Sequence, residues 1–366
     1  MHAIQIPTDH EHVQVKPGRR TGLPVMIGIH STTLGPAIGG LRIKHYDTPS
    51  EGLADCLRLS HAMTYKAAAI DNGTGGGKSV VPLPAGASVT RALKEAILLD
   101  VAEQIHDLQG AYMAGPDVGT GPEDMDFIFR RTPWAGGRSK AAGGAGGTTE
   151  GTFAGLESAI EAAAEVALGA SSVSGLRIAI VGLGGIGTLL ARALKAKGAS
   201  LLLADIDPAR EALARELGAT WCAPHDAMLA ECDVLAPCAL GGVVTPEVAG
   251  QLRCRVICGA ANNILSHDAV AAQLRARGID YVPDFIANAG GLKYASAVEV
   301  HRQAPAEAMR GTCRGIAENV RTVLRGCWDG AGTSVELALA LGQRRLDAAL
   351  ARPARPGPAQ MQAARG

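Results

Sequence analysis

The chain has 366 residues, with 35 basic and 35 acidic side chains and no net charge, so neither nucleic acid nor an acidic membrane is expected as a partner. Apolar residues make up 47% and aromatic ones only 3%, so large cores packed from Ala, Leu, Val and Gly are expected. That length exceeds one ordinary core and predicts two domains.

No uninterrupted apolar run is long enough to span a bilayer. Met1 to Pro7 has no basic segment leading into an apolar run, so no signal peptide is expected. The eight cysteines are scattered, with no Cys-x-x-Cys and no pairing with His at metal-ligand spacing. They read as reduced, mostly buried thiols in a cytoplasm, and no metal is expected.

Met26-Ile27-Gly28-Ile29-His30 and Leu41-Arg42-Ile43 read as strands. Ser50-Glu51-Gly52-Leu53 reads as a helix start, and Leu53, Cys56, Leu57, Leu59 and Met63 then form an apolar stripe. Lys66 lies near that stripe. Gly75-Gly76-Gly77 precede Lys78, which is expected to open a short strand over Ser79-Val80-Val81-Pro82-Leu83. The glycines leave backbone that a ligand could approach. A lysine held out of water loses its proton more easily, so Lys78 is a candidate general base. The plain alternative is that both lysines snorkel to the surface. His61 reads as a packed residue, and His10 and His12 as solvated.

Val89 to Ile105 reads as a long helix, and the Gly-rich stretch from Arg130 to Gly147 as an inter-domain hinge. A helix from Gly151 to about Leu168 follows. Strands Arg177–Val181, Leu201–Ala204, Asp233–Ala236, Val256–Gly259 and Asp280–Val282 then alternate with helices, the rhythm of a doubly wound parallel sheet. From Arg352 onward the chain reads as disordered.

Gly182-Leu183-Gly184-Gly185-Ile186-Gly187 stands between the first of those strands and a helix, the required context of the Gly-x-Gly-x-x-Gly dinucleotide fingerprint. Glycines let the pyrophosphate approach backbone at a helix N-terminus. Asp205 ends the next strand, eighteen residues after Gly187. A carboxylate there suits the ribose hydroxyls of NAD and repels the extra phosphate of NADP.

Several motifs in series, from about residue 25 to 345, resemble those of the glutamate/leucine/phenylalanine/valine dehydrogenases. They are Gly35-Pro36-Ala37-Ile38-Gly39-Gly40-Leu41-Arg42, Met63-Thr64-Tyr65-Lys66, Gly75-Gly76-Gly77-Lys78 and Gly115-Pro116-Asp117-Val118. In the nucleotide half they are Gly182 to Gly187, Ala236 to Gly242, Gly259-Ala260-Ala261-Asn262-Asn263 and Asn288-Ala289-Gly290-Gly291. The resemblance implies an N-terminal α/β substrate domain plus a Rossmann-type, doubly wound NAD-binding domain, with a cleft between them that closes to exclude water. It implies a substrate and oligomerisation domain over 1–132 and an NAD-binding domain over 133–345, whose last helices pack back on the first. A disordered tail over 352–366 follows, and the chain is expected to be a homo-oligomer.

The implied reaction is NAD-dependent oxidative deamination of an L-amino acid to the 2-oxo acid and ammonia. By the same resemblance Lys66 pairs with the substrate carboxylate, beside Met63, and Lys78 is the base that activates water. Asp117 handles protons on the amino side. Gly39 and Gly40 let backbone reach the carboxylate, and Asn262 hydrogen-bonds substrate near the nicotinamide. The cofactor would be held by Gly182, Gly184, Gly185, Ile186, Gly187, Asp205, Ala239, Asn262 and Thr152, the last at the carboxamide.

Pocket-lining positions by resemblance are Ile38, Gly115, Leu292 and Ala295. Ile38 stands where the glutamate enzymes carry a lysine, so glutamate is disfavoured. Small Gly115 and Ala295 suggest a roomy pocket and an aromatic, phenylalanine-like substrate, with leucine or valine as the alternative. Asp71-Asn72-Gly73-Thr74 replaces a family Leu-Pro pair, so that loop is expected to be more mobile or shaped for another substrate. The changed loop keeps a non-catalytic NAD-binding protein in view. Ala142 to Thr149 is glycine-rich where relatives often carry proline. A 2-hydroxy acid dehydrogenase lacks support, because no His–Asp or His–Glu pair stands where a hydroxyl-proton acceptor is expected. Read alone, Asp117 after Gly-Pro is a turn aspartate, and Asn262 beside Asn263 a strand-end pair.

Overall fold

The computed structural model describes residues 9–84 and 86–351; the tail expected over 352–366 lies outside them. The chain divides into two compact units. The first comprises the residues up to Gly147, Ala295–Arg302 and the residues from Gly342 on, and the second comprises Thr148–Tyr294 with Gln303–Leu341.

The first unit is built on β1 (His12–Pro17), β2 (Pro24–Ser31), β3 (Ala37–His45), α1 (Pro49–Ala69), β4 (Gly75–Leu83), α2 (Arg91–Asp107), β5 (Tyr112–Pro116) and α3 (Pro122–Phe129). Its sheet runs β1-β2-β4-β3-β5. The first three strands pair antiparallel and the last three parallel. One sheet face buries Ile27, Leu41, Ile43 and Val81 with Ile97, Leu98 and Val101 of α2. The other packs Met26 and Val80 on Leu53, Cys56 and Leu57 of α1.

Helix α1 starts where Thr48 caps the Glu51 amide and Pro49 presets the first turn. Its buried face runs through Leu53, Cys56, Leu57, Ser60, Thr64, Ala67 and Ala68. The stripe expected through Leu59 and Met63 is displaced, and both are only half-buried. The cause is close approach to β4, where a Cβ on Gly76 would collide with the Thr64 backbone. Small residues therefore make this helix–sheet contact.

The three glycines before Lys78 are packed rather than open to a ligand. Strand β4 begins at Gly75, is buried throughout, and holds Lys78 in its fourth position instead of opening there. A Cβ on Gly75 would strike the Ser31 carbonyl, and one on Gly77 the Tyr112 ring at 2.7 Å.

The Asp71–Thr74 loop is tied down. Asn72 Nδ2 donates to Thr74 Oγ1 at 2.6 Å and to Ser296 Oγ at 2.9 Å, and the Asn72 carbonyl lies 2.8 Å from His301 Nε2. The stretch expected as a hinge belongs to the first unit as far as Gly147. The buried Glu299 carboxylate accepts the Gly137 and Ala145 amides at 3.0 and 2.8 Å and Arg138 Nε at 3.2 Å. The expected boundary at 132 thus falls inside the unit, because Glu299 fastens the following loop to it.

The second unit contains α4 (Thr149–Leu168), β6 (Arg177–Val181), α5 (Gly185–Ala196), β7 (Ser200–Ala204), α6 (Glu211–Leu217), β8 (Thr220–Trp221), α7 (Pro224–Met228) and β9 (Cys232–Pro237). It continues through α8 (Pro246–Gln251), β10 (Cys254–Ile257), α9 (Val270–Ala276), β11 (Asp280–Tyr281) and α10 (Asp284–Ala287). Helices α11 (Gly290–Glu299), α12 (Pro305–Trp328) and α13 (Ser334–Leu350) complete the described chain. The six strands are parallel in the order β11-β10-β9-β6-β7-β8, the doubly wound order with its reversal between β6 and β9. The two-residue strand β8 is additional to the five expected strands. Gly151 and Gly155 of α4 meet Gly290 backbone to backbone.

Residues from Gly342 belong to the first unit, where Arg345 Nη1 donates to the Ala68 and Ala69 carbonyls at 2.9 and 2.6 Å. Among the described residues no helix is long and apolar enough to cross a membrane.

Candidate active site

Lys78 of β4 is 5% exposed and its Nζ forms an ion pair with Asp117, just past the end of β5. Asp117 also accepts Arg42 Nε of β3 at 3.0 Å and Nη2 at 3.4 Å. Arg42 reaches on to Asp55 at 2.7 Å, and Asp55 in turn accepts the Tyr46 hydroxyl and Arg58, each at 2.7 Å. Asp117 is the turn residue the local sequence suggests: its amide donates to Thr120 Oγ1 at 2.9 Å, and that hydroxyl donates to the Leu41 carbonyl at 2.8 Å. The turn aims its carboxylate at the two cations.

One carboxylate between two cations decides the protonation states. Burial would raise the Asp117 carboxyl, but Lys78 and Arg42 together hold it below the usual carboxylate range. Burial pushes the Lys78 ammonium below the usual lysine range, Asp117 opposes this, and Arg42 adds to it. The guanidinium keeps its proton under all ordinary conditions, so Lys78 is the member of the trio that gives its proton up. Cys56 Sγ lies 3.4 Å from the Lys78 carbonyl, but burial pushes that thiol up to about 12, so it is no nucleophile at neutral pH.

Gly39 and Gly40 are required by packing. A Cβ on Gly39 would run into the Gly77 carbonyl, and one on Gly40 would lie 2.6 Å from Asp117 Cβ. Ile38 and Gly40 pair in register with Met113 and Gly115. These four residues share the sheet face toward which Gly76 meets α1. Met63 and Lys66, three residues apart on α1, are both half-buried. A Cβ on Gly115 would find its nearest neighbour 3.9 Å away, at the Gly136 carbonyl. Ala295 is half-buried in the first unit and Leu292 half-buried in the second.

Arg42 closes the motif that starts at Gly35, and the family resemblance assigns it no role. Its alternation with Gly40 puts both on one face of β3, beside Lys78.

In the second unit, Gly182 has φ +105° and no room for a side chain against Ala239. Gly187 lies against the Gly182 carbonyl. Gly184 and Gly185 are exposed, with no neighbour closer than 3.9 Å to either added Cβ, at the first turn of α5 beside half-buried Ile186. Asp205 accepts the Leu183 amide at 2.6 Å and the Asp207 amide at 2.9 Å. Burial would raise its carboxyl, but those amides lower it, so it is ionised. Ile206 and Leu240, 88% and 72% exposed, offer apolar surface on the loops following β7 and β9.

Thr152, buried on α4, turns its hydroxyl to Gly291. Exposed Asn262 accepts Asn288 Nδ2 at 2.8 Å, while Asn263 has φ 53° and gives its amide to Asp284. The open glycines, the helix start and the acid at the switch point fit a dinucleotide.

A switch-point sheet with this loop, in one chain with a buried lysine–carboxylate pair, is the equipment of a nicotinamide-dependent dehydrogenase. Residues 6–134 match the Glu/Leu/Phe/Val dehydrogenase dimerisation domain, and 203–309 match the Glutamate/Leucine/Phenylalanine/Valine dehydrogenase family. Residues 156–241 also match the NAD binding domain of D-isomer specific 2-hydroxyacid dehydrogenases. The chain is 38% identical to leucine dehydrogenase of Geobacillus stearothermophilus, over 78% of this chain and 77% of that protein. It is 37% identical to valine dehydrogenase of Streptomyces albus, over 77% and 78% respectively. The structure of L-tryptophan dehydrogenase from Nostoc punctiforme is similar with a TM-score of 0.82 at 29% identity, covering 94% of this chain and 98% of that one. The chain belongs to the glutamate/leucine/phenylalanine/valine dehydrogenase family and is an amino acid dehydrogenase.

Proposed function

We propose that the chain catalyses reversible, NAD-dependent oxidative deamination of a branched-chain aliphatic L-amino acid, of the leucine or valine type, to the 2-oxo acid and ammonia. The buried Lys78, sharing the Asp117 carboxylate with Arg42, carries this reading. Once the α-carbon has lost its hydride and become an imine carbon, the neutral Lys78 amine takes a proton from water as the water adds across the C=N bond. Asp117 holds and returns protons at the amino nitrogen, and Arg42 positions its carboxylate. Lys66 pairs with the substrate carboxylate beside Met63, a charge-assisted contact that fixes the α-carbon. Asn262 and Thr152 orient the reacting ends, and the glycines from Gly182 to Gly187 with Ala239 carry the pyrophosphate side. When bound, the nicotinamide accepts the α-carbon hydride.

NAD rather than NADP is supported by the ionised Asp205 at the end of β7. The aliphatic substrate is supported by the leucine and valine dehydrogenases among the relatives, at 38% and 37% identity. It replaces the aromatic preference expected from small Gly115 and Ala295. An aromatic substrate stays as the second reading, favoured by the likeness to tryptophan dehydrogenase and the open space at Gly115. Apolar Ile38 argues against glutamate.

In this proposal the first unit holds the amino acid and the second the cofactor. A homo-oligomer is supported by the dimerisation-domain match, and a reducing cytoplasm by eight free thiols. Reduced-nicotinamide absorbance with NAD and a panel of L-amino acids, then with 2-oxo acids and ammonia, tests it. Fastest turnover with leucine or valine is expected. NAD binding without turnover of any amino acid would instead make the chain a non-catalytic NAD-binding protein.

A further inference from the structure

Helix α1 carries a second cluster, apart from the Lys78–Asp117 pair. Asp9 before β1, His30 on β2 and His61 on α1 each offer one ligand atom, and these atoms lie within 4.8 Å of one another. The rings of His30 and His61 meet edge to face with centroids 4.6 Å apart, and His10 meets His30 at 5.0 Å. His10, expected to be solvated, has a buried ring, with its side chain 1% exposed.

The contacts around these rings turn one nitrogen of each toward a carboxylate. Ser60 Oγ donates to the Leu57 carbonyl at 2.9 Å, so its oxygen accepts His10 Nε2–H at 2.8 Å. Thr64 Oγ1 lies 2.8 Å from His30 Nδ1 and 3.5 Å from the Ser60 carbonyl. Each ring turns its other nitrogen to Asp9: His10 Nδ1 lies 3.2 Å from Oδ1, and His30 Nε2 lies 3.4 Å from Oδ2. Ring nitrogens and a carboxylate oxygen gathered this closely are donors that one metal ion can share.

We propose that Asp9, His30 and His61 bind a divalent first-row transition metal of the zinc type. Two imidazoles and a carboxylate suit zinc, cobalt or nickel, whereas calcium and magnesium prefer all-oxygen sets. The Thr64 hydroxyl, 2.8 Å from Nδ1, holds the His30 ring with Nε2 toward Asp9, the usual task of a partner behind a ligating histidine. Zinc takes ligands at about 2.0–2.1 Å, so the atoms must close by roughly an ångström. Asp9 and His61 are both exposed, so their side chains are not held in a packed core. Three protein ligands leave one position to water. It joins the segment before β1 to β2 and to the helix that carries Met63 and Lys66.

Zinc titration of the chelator-stripped full chain by calorimetry, with thermal melts alongside, tests the site. One zinc per chain and a melting midpoint raised by a few degrees are expected. His61→Ala and Asp9→Asn change exposed side chains, so circular dichroism should report a retained fold. Each should weaken zinc at least tenfold and abolish the shift, whereas His225→Ala, at an exposed position of the second unit, should change neither. Cobalt titrated into the wild type should give a visible absorption band that His30→Ala removes. Zinc binding that survives in His61→Ala would overturn the site. So would a wild-type chain that takes up no zinc, or one whose melt responds to pH and not to zinc, which would make the cation a proton.

Discussion

Gly40 and Lys78 face each other so closely that a methyl group on the glycine would lie 3.0 Å from the lysine Nζ. The same methyl would press on Asp117 Cβ, so the ion pair occupies the volume that a side chain at residue 40 would need. Gly40→Ala should therefore displace the pair while the sheet, paired through backbone, still forms. Strain from such a methyl is about 1–3 kcal/mol, and the misplaced base should lower kcat/KM by at least tenfold. Steady-state kinetics with circular dichroism would check this; a folded variant with normal kcat/KM would mean the pair is not the catalytic centre.

Lys78→Ala should cut turnover by about 10²–10⁴-fold, the usual worth of a positioned base. Cofactor binding should survive, because the dinucleotide loop belongs to the second unit. Fluorescence titration with reduced cofactor separates the two effects. Near-normal turnover would remove Lys78 from the mechanism.

The pH profile tests how Lys78 is tuned. Its ammonium is held below the usual lysine range, so the active neutral amine grows in, and kcat/KM rises, as pH climbs through that lowered value. Arg42 contributes to the lowering, and Asp117, then shared less, would pair with Lys78 more fully without it. Arg42→Gln should thus raise the lysine pKa and move the rising limb to higher pH. An unmoved limb with lower kcat would limit Arg42 to a packing role.

How much of this was legible follows from how local each signal is. The fingerprint, Asp205 and the strand rhythm lie in contiguous runs, and the second unit repeats them within a few residues, down to Arg177–Val181. Lys78 and Asp117 stood out because each sits in a short motif. What joins them is Arg42, whose partners Asp55 and Asp117 are 13 and 75 residues away, and no local pattern reports such a link. The glycines of β4 were visible but their purpose was not, since helix, ring and neighbouring strands crowd them only after folding. The Gly-rich stretch looked like a hinge because its tether, Glu299, lies more than 150 residues further on. Asp9, His30 and His61 likewise gather from a loop, a strand and a helix.

Asp205 has two tasks that a single substitution would confuse. Its carboxylate accepts the amide of buried Leu183, so Asp205→Ala would strand that N–H at a cost of about 1–3 kcal/mol. Asp205→Asn keeps an acceptor for the amide but loses the charge. It should fold normally, weaken NAD and narrow the gap between NAD and NADP. An unchanged ratio of kcat/KM for the two cofactors would assign the preference to another residue.

Gly115 offers the cleanest test of substrate size. A methyl there meets nothing closer than 3.9 Å, so Gly115→Ala should fold without strain and any kinetic change would come from the substrate. The residue shares a sheet face with Ile38 and pairs in register with Gly40, so the added methyl would narrow the space beside the proposed side-chain pocket. Pockets discriminate by about 1–3 kcal/mol per methylene, and the largest substrates should suffer most. The variant should lose kcat/KM for phenylalanine most, for leucine less and for valine least, each measured against wild type. Equal losses for all three would make Gly115 a backbone neighbour of Asp117 with no part in choosing the side chain.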